Sequence, residues 1–338
     1  MSAKAWRAAY TEKPVDWRAP IQEELREVEN FLSETIHSDV QTINDVFDHL
    51  LSAGGKRLRP ALVILSSQTA FDTDTNHERV TAVAAVVELI HMASLMHDDV
   101  IDHSDSRRGR VTANAFWGNR ISILSGDYIL AKAFRLLLKD NDQRIMDTIA
   151  DTTTKMSEIE VLQSMCEHSI ENWKKNYWEI VRNKTAGFMS ACCRCGAILS
   201  GADSSTEEAL AKYGMELGMA FQLTDDILDI AGEQDVVGKP IGSDLREGKF
   251  TLPVLIAFDA IPEEEKESIR KALERPENTE DDVRKLCEKI RSLGAVESAR
   301  EQAKSFIERA NDHLKSLPPS DARDALTTLS SNILYRTR

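Results

Sequence analysis

Glycine and proline are scarce in this chain, with 15 and 9 among its 338 residues. Both residue types interrupt helices, so their scarcity leaves long uninterrupted segments. Almost all of these segments repeat apolar residues at the helical spacing. No segment shows the sustained alternation of a strand or the turn residues of a hairpin. The sequence therefore predicts an all-α protein that folds as one large helical bundle.

The chain also has few cysteines and no long, unbroken apolar segment. The number of cysteines, five, is odd, which argues against a disulfide scaffold and favours a reducing compartment. The first 20 residues lack the apolar stretch of a signal peptide. The most apolar segment, 82–96, contains Glu88 and His91 and is too short to cross a bilayer. We expect a cytoplasmic protein with a loosely ordered segment 1–20 and one helical domain, 21–338.

Acidic residues outnumber basic ones, giving a formal net charge of −14. This balance argues against a nucleic-acid-binding protein. It also means that an anionic substrate would need bound metal ions and a local group of cations at its site.

The helical spacing predicts where the helices lie. They cover 21–51, 60–71, 77–102, 120–139, 142–168, 173–200 and 205–231, followed by shorter helices from 251 to the end of the chain. The polar segment 262–282 is typical of a solvent-exposed helix pair with its connecting loop.

Two aspartate clusters share one spacing and lie in two different predicted helices. The first contains Asp98, Asp99 and Asp102. The second contains Asp225, Asp226 and Asp229. A helix places positions i and i+4 on the same face, and unpaired carboxylates on an apolar face are costly. Hard divalent cations such as Mg²⁺ prefer oxygen ligands. The clusters therefore predict two walls of one metal-binding cavity.

Basic residues accompany both clusters. Arg107 and Arg108 follow the first cluster, and Lys239 and Lys249 follow the second. A further group, Gly54-Gly55-Lys56-Arg57-Leu58-Arg59-Pro60, combines two glycines with three cations but lacks the spacing of a Walker A loop. Arginine and lysine bind phosphate oxygens, so these segments favour a diphosphate substrate. Each segment alone is equally typical of a solvated surface.

Taken in order, the motifs resemble those of the trans-isoprenyl diphosphate synthases. The similarity spans about Gly54 to Lys249 and includes Gly126-Asp127 and Lys184-Thr185. The resemblance implies an isoprenoid synthase bundle around a central cavity. It also implies Mg²⁺-dependent, head-to-tail (1'-4) condensation of an allylic diphosphate with isopentenyl diphosphate, with release of pyrophosphate. It further implies a homodimer. A long product would be apolar enough to favour transient contact with a membrane surface when it is released.

The resemblance also assigns roles to individual residues. Three Mg²⁺ ions would be held by the two aspartate clusters, Asp98, Asp99 and Asp102 on one wall and Asp225, Asp226 and Asp229 on the other. The allylic diphosphate would contact Arg107, Lys184, Thr185, Gln222, Lys239 and Lys249. Isopentenyl diphosphate would contact Lys56, Arg59, His91 and Arg108. The residues expected to act most directly in catalysis are Asp98, Asp102, Arg107, Lys184, Asp225 and Lys239.

Product length depends on what blocks the cavity behind the first cluster. Ala93 and Ser94 lie about one turn before Asp98 and are small. Phe134 lies about two turns beyond Asp127 on the following helix. We hypothesise a tunnel that passes Ala93 and ends near Phe134, which gives a long product of the hexaprenyl to decaprenyl class by family analogy. For a single phenylalanine, ordinary core packing is the competing interpretation.

Several alternative functions remain open. A shorter-chain synthase of the geranylgeranyl type would share every motif. A class I terpene cyclase would share the first cluster but would not need the Gly54–Pro60 segment. A non-catalytic subunit of a heteromeric synthase would have lost carboxylates or cations that are present here. Head-to-head synthases and metal phosphohydrolases fit the pattern less well.

Overall fold

The structure, a computed structural model, describes residues 16–69, 76–107, 109–231 and 241–334. Within these ranges the chain is helical, as the sequence predicts, apart from connecting loops and one hairpin whose two strands have two residues each. The hairpin pairs β1 (Ser106–Arg107) with β2 (Arg110–Val111) in antiparallel orientation. A 3₁₀ turn covers Ala19–Ile21, and a π-helical turn covers Arg182–Ala186. The helices are α1 Gln22–Thr35, α2 Gln41–Ser52, α3 Leu58–Thr69, α4 His77–Ile101, α5 Ala113–Trp117, α6 Asn119–Asp140, α7 Gln143–Cys166, α8 Ile170–Val181, α9 Gly187–Leu199, α10 Ser204–Ala231, α11 Ser243–Arg246, α12 Leu252–Ala260, α13 Glu263–Leu273, α14 Glu280–Ser292, α15 Ala295–Leu314 and α16 Asp321–Ile333.

The prediction of one helix over 21–51 is wrong, because this segment forms two helices, α1 and α2. α1 ends at Thr35, and Ile36 has an extended backbone. The side chain of Asn44 then holds the connecting segment from both sides. It accepts a hydrogen bond from the Ser38 amide at 2.9 Å and donates one to the Ser38 carbonyl at 2.9 Å. A side chain that replaces backbone partners in this way stabilises a turn within an amphipathic pattern.

Helix α4 forms the centre of the bundle. The Asn76 side chain accepts a hydrogen bond from the Arg79 amide at 3.2 Å and so caps its first turn. α4 has the length and apolar composition to cross a membrane, but most of its apolar stretch is buried inside the protein, as in the core helix of a soluble protein. Its last turn, at the edge of this core, carries the first aspartate cluster.

Two hydrophobic clusters form the core. One joins apolar side chains of α1, α3, α4, α6 and α9, and the other joins those of α8, α12, α14 and α15. α10 contributes to both, through Tyr213 and Leu217 to the first and through Leu223 and Ile227 to the second. Trp17 packs in the first cluster, while the rest of the predicted loose segment, 1–15, lies outside the described residues.

A glycine on α10 brings the second aspartate cluster close to the π turn. A Cβ atom at Gly218 would lie 2.4 Å from the Cα of Ala186, so no larger residue fits here without a shift. Four residues later, Gln222 is one turn along the same helix and faces Thr185 of the π turn. This close approach therefore places the Lys184–Thr185 pair against the helix that carries Asp225 to Asp229.

Candidate active site

A single large cavity, with a volume of about 1540 Å³, lies between α3, α4, α6, α7, the π turn and α10. Residues of both aspartate clusters line it. Most of the residues predicted for the site also do so: Lys56, Arg59, His91, Ala93, Ser94, Asp98, Arg107, Lys184, Thr185, Gln222, Asp225, Asp226 and Asp229. The structure therefore brings residues of both clusters and several of the predicted basic residues together at one cavity.

Within the first cluster, the three carboxylates have different surroundings. Asp98 lines the cavity. Asp99 is buried, and its Oδ1 accepts a hydrogen bond from the Arg107 Nε at 2.7 Å. Asp102 ends the helix, and its Oδ1 accepts a hydrogen bond from the Lys249 Nζ at 2.8 Å. The loop between α4 and β1 turns the chain back, with the Ser104 amide bonded to the Asp99 carbonyl, so that Arg107 reaches the Asp99 side chain.

The second cluster repeats this division of roles. Asp226 is buried and accepts hydrogen bonds from the Tyr177 hydroxyl at 2.6 Å and the Gln222 amide at 3.0 Å. Asp229 accepts bonds from the amide and hydroxyl of Ser243, each at 3.0 Å. Asp225 and Asp229 line the cavity from the face opposite α4. One aspartate of each cluster, Asp99 and Asp226, is thus buried and hydrogen-bonded to protein groups, and Asp226 also contributes to the cavity lining.

The ion pair between Lys249 and Asp102 joins the two walls of the site. Lys249 follows the second cluster in the chain, whereas Asp102 belongs to the first, and 147 positions separate them. The Lys249 side chain is only 11% exposed and also contacts Glu247. Although burial opposes it, the two carboxylates raise the pKa of Lys249, which therefore stays protonated. This contact ties the end of α4 to the segment 243–249, in which Ser243 donates hydrogen bonds to Asp229 of α10.

The π turn contributes Lys184 and Thr185 to the cavity, and an acidic residue holds Lys184. Lys184, in the π turn, forms an ion pair with Glu160 of α7 at 2.7 Å and donates a hydrogen bond to Gln163 at 3.2 Å. Thr185 donates to Gln222 at 2.8 Å. A π turn changes the direction of successive side chains within a helix and is common at functional sites. Here it lets Lys184 and Thr185 both reach the cavity.

Burial perturbs the carboxylates that lie deepest at the site. It raises the pKa of Asp98 to about 6, although nearby Lys184 favours the ionised form. It raises the pKa of Asp226 to about 7, against the hydrogen bonds from Tyr177 and Gln222. Burial also raises the pKa of Asp229 and Asp244. Buried carboxylates with raised pKa values are stabilised when positive charge is brought to them.

The chemistry of this donor set fits a divalent cation. Its ligand atoms are all carboxylate oxygens, which magnesium and calcium prefer. Within the described residues, no three acidic, histidine or cysteine side chains converge closely enough to hold a metal without further ligands. A metal at this site would therefore share its coordination with water or with substrate oxygens, which is the usual arrangement for Mg²⁺ bound with a phosphate.

The remaining predicted residues lie elsewhere. Lys249 lines a smaller cavity of about 120 Å³ behind Asp226. Leu130 of α6 lines the main cavity, whereas Phe134, one turn further, packs against the hydrophobic core and is absent from the lining. Arg108 and Lys239 lie outside the described residues.

Comparisons with known proteins show the family of this chain. The model of the family described as polyprenyl synthetase matches residues 40–290. The chain belongs to the polyprenyl synthetase family. The resemblance stated from its motifs is thereby confirmed, as are its all-α fold and its class as a prenyltransferase, a polyprenyl diphosphate synthase. Enzymes of this family use a divalent metal, and their substrates are allylic and isopentenyl diphosphates.

Individual members of the polyprenyl synthetase family are similar over nearly their whole length. A polyprenyl synthase from Caulobacter crescentus, solved with calcium and isoprenyl diphosphate, superposes with a TM-score of 0.91 at 36% identity, covering 97% of this chain and 99% of that one. The octaprenyl diphosphate synthase of Escherichia coli is 36% identical over 90% of this chain and 93% of its own. A short chain isoprenyl diphosphate synthase of Methanothermobacter thermautotrophicus is 33% identical over 92% and 97%. Overall similarity thus extends across enzymes with different products.

Sequence reasoning missed several residues of this site. Glu160 and Gln163 hold Lys184, and Tyr177 holds Asp226, but each lies in an ordinary amphipathic helix with no motif to mark it. Arg57 and Glu88 also line the cavity and form an ion pair. Only Glu88 could have been noticed from the sequence, because it lies in the apolar segment of α4 and a buried charge requires a partner.

Proposed function

We propose that this protein elongates an allylic diphosphate by head-to-tail (1'-4) condensation with isopentenyl diphosphate and releases pyrophosphate. The observation that carries the proposal is one cavity lined by Asp98 of α4 and by Asp225 and Asp229 of α10, together with several basic side chains. A site with carboxylates on two walls and cations between them suits a diphosphate bound together with metal ions.

Asp98 and Asp102 of α4 and Asp225 and Asp229 of α10 would hold Mg²⁺, with three ions per site by analogy with the family. Asp99 and Asp226 would act as supports, since each is buried and hydrogen-bonded to protein groups. When bound, the ions supply positive charge that stabilises the pyrophosphate as it leaves. The hydrogen bonds of Asp229 to the Ser243 segment fix its carboxylate before any ligand arrives.

The cations on the allylic side are preorganised by carboxylates. Arg107 is held by Asp99, Lys184 by Glu160 and Lys249 by Asp102. The three side chains are therefore already ordered before a diphosphate binds. An incoming diphosphate can share or replace their carboxylate partners, so less side-chain entropy is lost on binding. Thr185 and Gln222 would add hydrogen bonds from the π turn and α10. Lys239 would join this set by its place in the sequence.

The second diphosphate would lie on the opposite side, against Lys56, Arg59 and His91, with Arg108 assigned by its place in the sequence. This arrangement would put the double bond of isopentenyl diphosphate next to the allylic carbon. The released pyrophosphate is the favoured base in this family, so no side-chain base is required. The apolar cavity wall keeps water away from the reacting carbon.

We further propose a long product, of hexaprenyl to decaprenyl class. Ala93 and Ser94 line the cavity directly behind Asp98, and Leu130 and Met156 line it as well. Small residues at the first two positions leave room for a growing chain. Because Phe134 is absent from the lining, we now assign the blocking role to Leu130 and Met156 instead.

The chain-length proposal is tested at Ala93. Ala93→Tyr places a large ring where the side chain is 2% exposed and faces the cavity, so the product should become shorter by several isoprene units. Ala93→Ser, which is nearly the same size, is the matched control and should leave product length unchanged. Mass spectrometry of the products measures both. An unchanged product from the tyrosine variant would show that the tunnel does not pass this residue.

The function itself is tested by incubation with Mg²⁺, farnesyl diphosphate and isopentenyl diphosphate. Chain elongation supports the proposal. Release of a hydrocarbon would indicate a terpene cyclase, and inertness would indicate a non-catalytic subunit. A product that stops at geranylgeranyl diphosphate would indicate a shorter-chain enzyme. We also propose a homodimer, which light scattering tests; a cytoplasmic location and transient membrane contact stay predictions.

A further inference from the structure

The loop before α3 contains a strained residue that the assigned ligands do not explain. Arg57 lies between Lys56 and Leu58 and has a φ of +49°, in the left-handed region that residues with a Cβ rarely adopt. Its side chain is 7% exposed. A buried charged residue in this conformation persists only where its surroundings fix it.

Two carboxylates fix Arg57. Its Nη1 donates to the Glu88 Oε1 at 2.8 Å, and its Nε donates to the Glu29 Oε1 at 3.3 Å. The Glu88 side chain is 6% exposed, whereas that of Glu29 is 52% exposed. The pair with Glu88 is therefore the buried one, and removal of Glu88 would leave the buried Arg57 with only the exposed Glu29 as its acidic partner.

Glu88 ties this loop to the helix face that carries His91. The two residues are three positions apart on α4, and both line the cavity. On the other side of the ion pair, Lys56 and Arg59 flank Arg57 in the chain, and both also line the cavity. The guanidinium of Arg59 additionally lies over the ring of Phe188, 5.1 Å from its centroid. One ion pair thus joins the elements that carry Lys56, Arg59 and His91.

We propose that Arg57 and Glu88 are positioning residues for the second diphosphate site, the site of isopentenyl diphosphate. The ion pair holds the backbone of Arg57 in its left-handed conformation. That conformation sets the directions of Lys56 and Arg59 relative to His91. Glu88 also neutralises Arg57, so the loop presents a defined pair of cations to the ligand. This inference rests on the proposed function.

Glu88→Gln keeps the shape of the side chain and deletes its charge. The dissociation constant for isopentenyl diphosphate should rise about tenfold, while that for farnesyl diphosphate stays within about twofold. Calorimetric titration of each diphosphate measures binding without turnover. In steady-state assays, KM for isopentenyl diphosphate should rise more than kcat falls. Failure of the wild-type protein to elongate would overturn the proposed function but not this pattern of binding.

The ion pair of Arg194 with Glu207, at 2.6 Å, provides a matched control, because it links α9 and α10 away from the residues lining the cavity. Glu207→Gln should lower the thermal midpoint and leave both dissociation constants unchanged. A Glu88→Gln variant that behaved like this control, or that weakened both diphosphates equally, would overturn the proposal.

A double-mutant cycle separates positioning from direct contact. Arg57→Met breaks the pairs with both Glu88 and Glu29, so it should weaken isopentenyl diphosphate binding at least as much as Glu88→Gln does. The double variant should be no weaker than Arg57→Met alone, because the pair with Glu88 is already broken in it. If Arg57 instead contacted the diphosphate directly, the losses of the two single variants would add in the double variant. Such additivity would refute the positioning role.

Discussion

Removal of divalent metal should make the stability of this protein depend on the ionisation of Asp98. Burial raises the pKa of Asp98 from 3.8 to about 6 in the folded protein. In the unfolded chain the carboxyl returns to its ordinary pKa. Between about pH 4 and about pH 6, the folded state therefore retains a proton that the unfolded state has released, and stability falls as the pH rises. Above about pH 6 both states are ionised and the loss is complete.

The size of this effect follows from the shift. A change from 3.8 to about 6 corresponds to about 3 kcal/mol, at about 1.4 kcal/mol for each tenfold change in proton affinity. Asp98 borders the cavity, so solvent there reduces the effect to roughly 1–3 kcal/mol. For a chain of this length, that difference moves the thermal midpoint by roughly 1.5–4 °C.

The assay compares metal-free protein with Asp98→Asn, which removes the titrating group. Scanning calorimetry at about pH 4 and about pH 7.5, which spans most of the interval between the two pKa values, gives the difference in midpoint between wild type and variant at each pH and cancels the titration of all other carboxylates. The wild type should lose stability relative to the variant at the higher pH. Addition of Mg²⁺ at the higher pH should raise the thermal midpoint of the wild type more than that of the variant.

A second variant provides the control for this prediction. Asp105→Asn removes an exposed acidic residue seven positions further along the chain that does not line the cavity, and it controls for the loss of one carboxylate. If the midpoint difference between wild type and Asp98→Asn were independent of pH, burial would not perturb Asp98. Its carboxylate would then need no cation.

Three further predictions concern the residues that hold the site together. Glu160→Gln removes the partner of Lys184, so KM for the allylic diphosphate should rise roughly three- to tenfold with little change in KM for isopentenyl diphosphate, as steady-state kinetics would show; equal increases would contradict it. Gly218→Ala places a Cβ 2.4 Å from Ala186 and should cost about 1–3 kcal/mol in chemical denaturation; an unchanged midpoint would mean that the π turn is free to move. Gly248→Ala puts a side chain on a residue with a φ of +72° and places its Cβ 2.5 Å from the His168 ring. The variant should displace Lys249 and weaken pyrophosphate binding, which calorimetry measures. Adding His168→Ala should relieve the clash and restore part of the binding.

Much of the fold follows from the helical period, because apolar spacing is a local property. The limits of α4, α6 and α10 agree with the predicted limits within a few residues. The break between α1 and α2 was not predictable in this way, since it depends on Asn44, whose side chain replaces backbone partners across six positions. The π turn was missed for a similar reason. It depends on the close approach of Gly218 to Ala186, which is a tertiary contact.

Some residues of the candidate site were likewise predictable from the sequence, and others depend on tertiary contacts. Cavity-lining residues such as Asp98 and Lys184 occur in motifs, because the proposed chemistry requires particular residue types in a particular order. Residues that hold such side chains, for example Glu160 and Tyr177, are fixed only by distance in the folded protein. Leu130 and Phe134 are one turn apart on α6 and both pack against the hydrophobic core, yet only Leu130 lines the cavity. Counting turns along one helix does not predict this difference, because side chains of several helices shape the cavity.

The pairing of cations with carboxylates also explains how an acidic protein can accept two diphosphates. The chain carries a net charge of −14, yet Arg107, Lys184 and Lys249 are kept at the cavity by local ion pairs. Two of their partners, Asp99 and Asp102, belong to the first aspartate cluster. When metal ions and a diphosphate bind together, the carboxylates gain the metal and the cations gain the phosphate oxygens, so neither group is left uncompensated. Metal and allylic substrate should therefore bind cooperatively, each weakening the ion pairs that oppose the other.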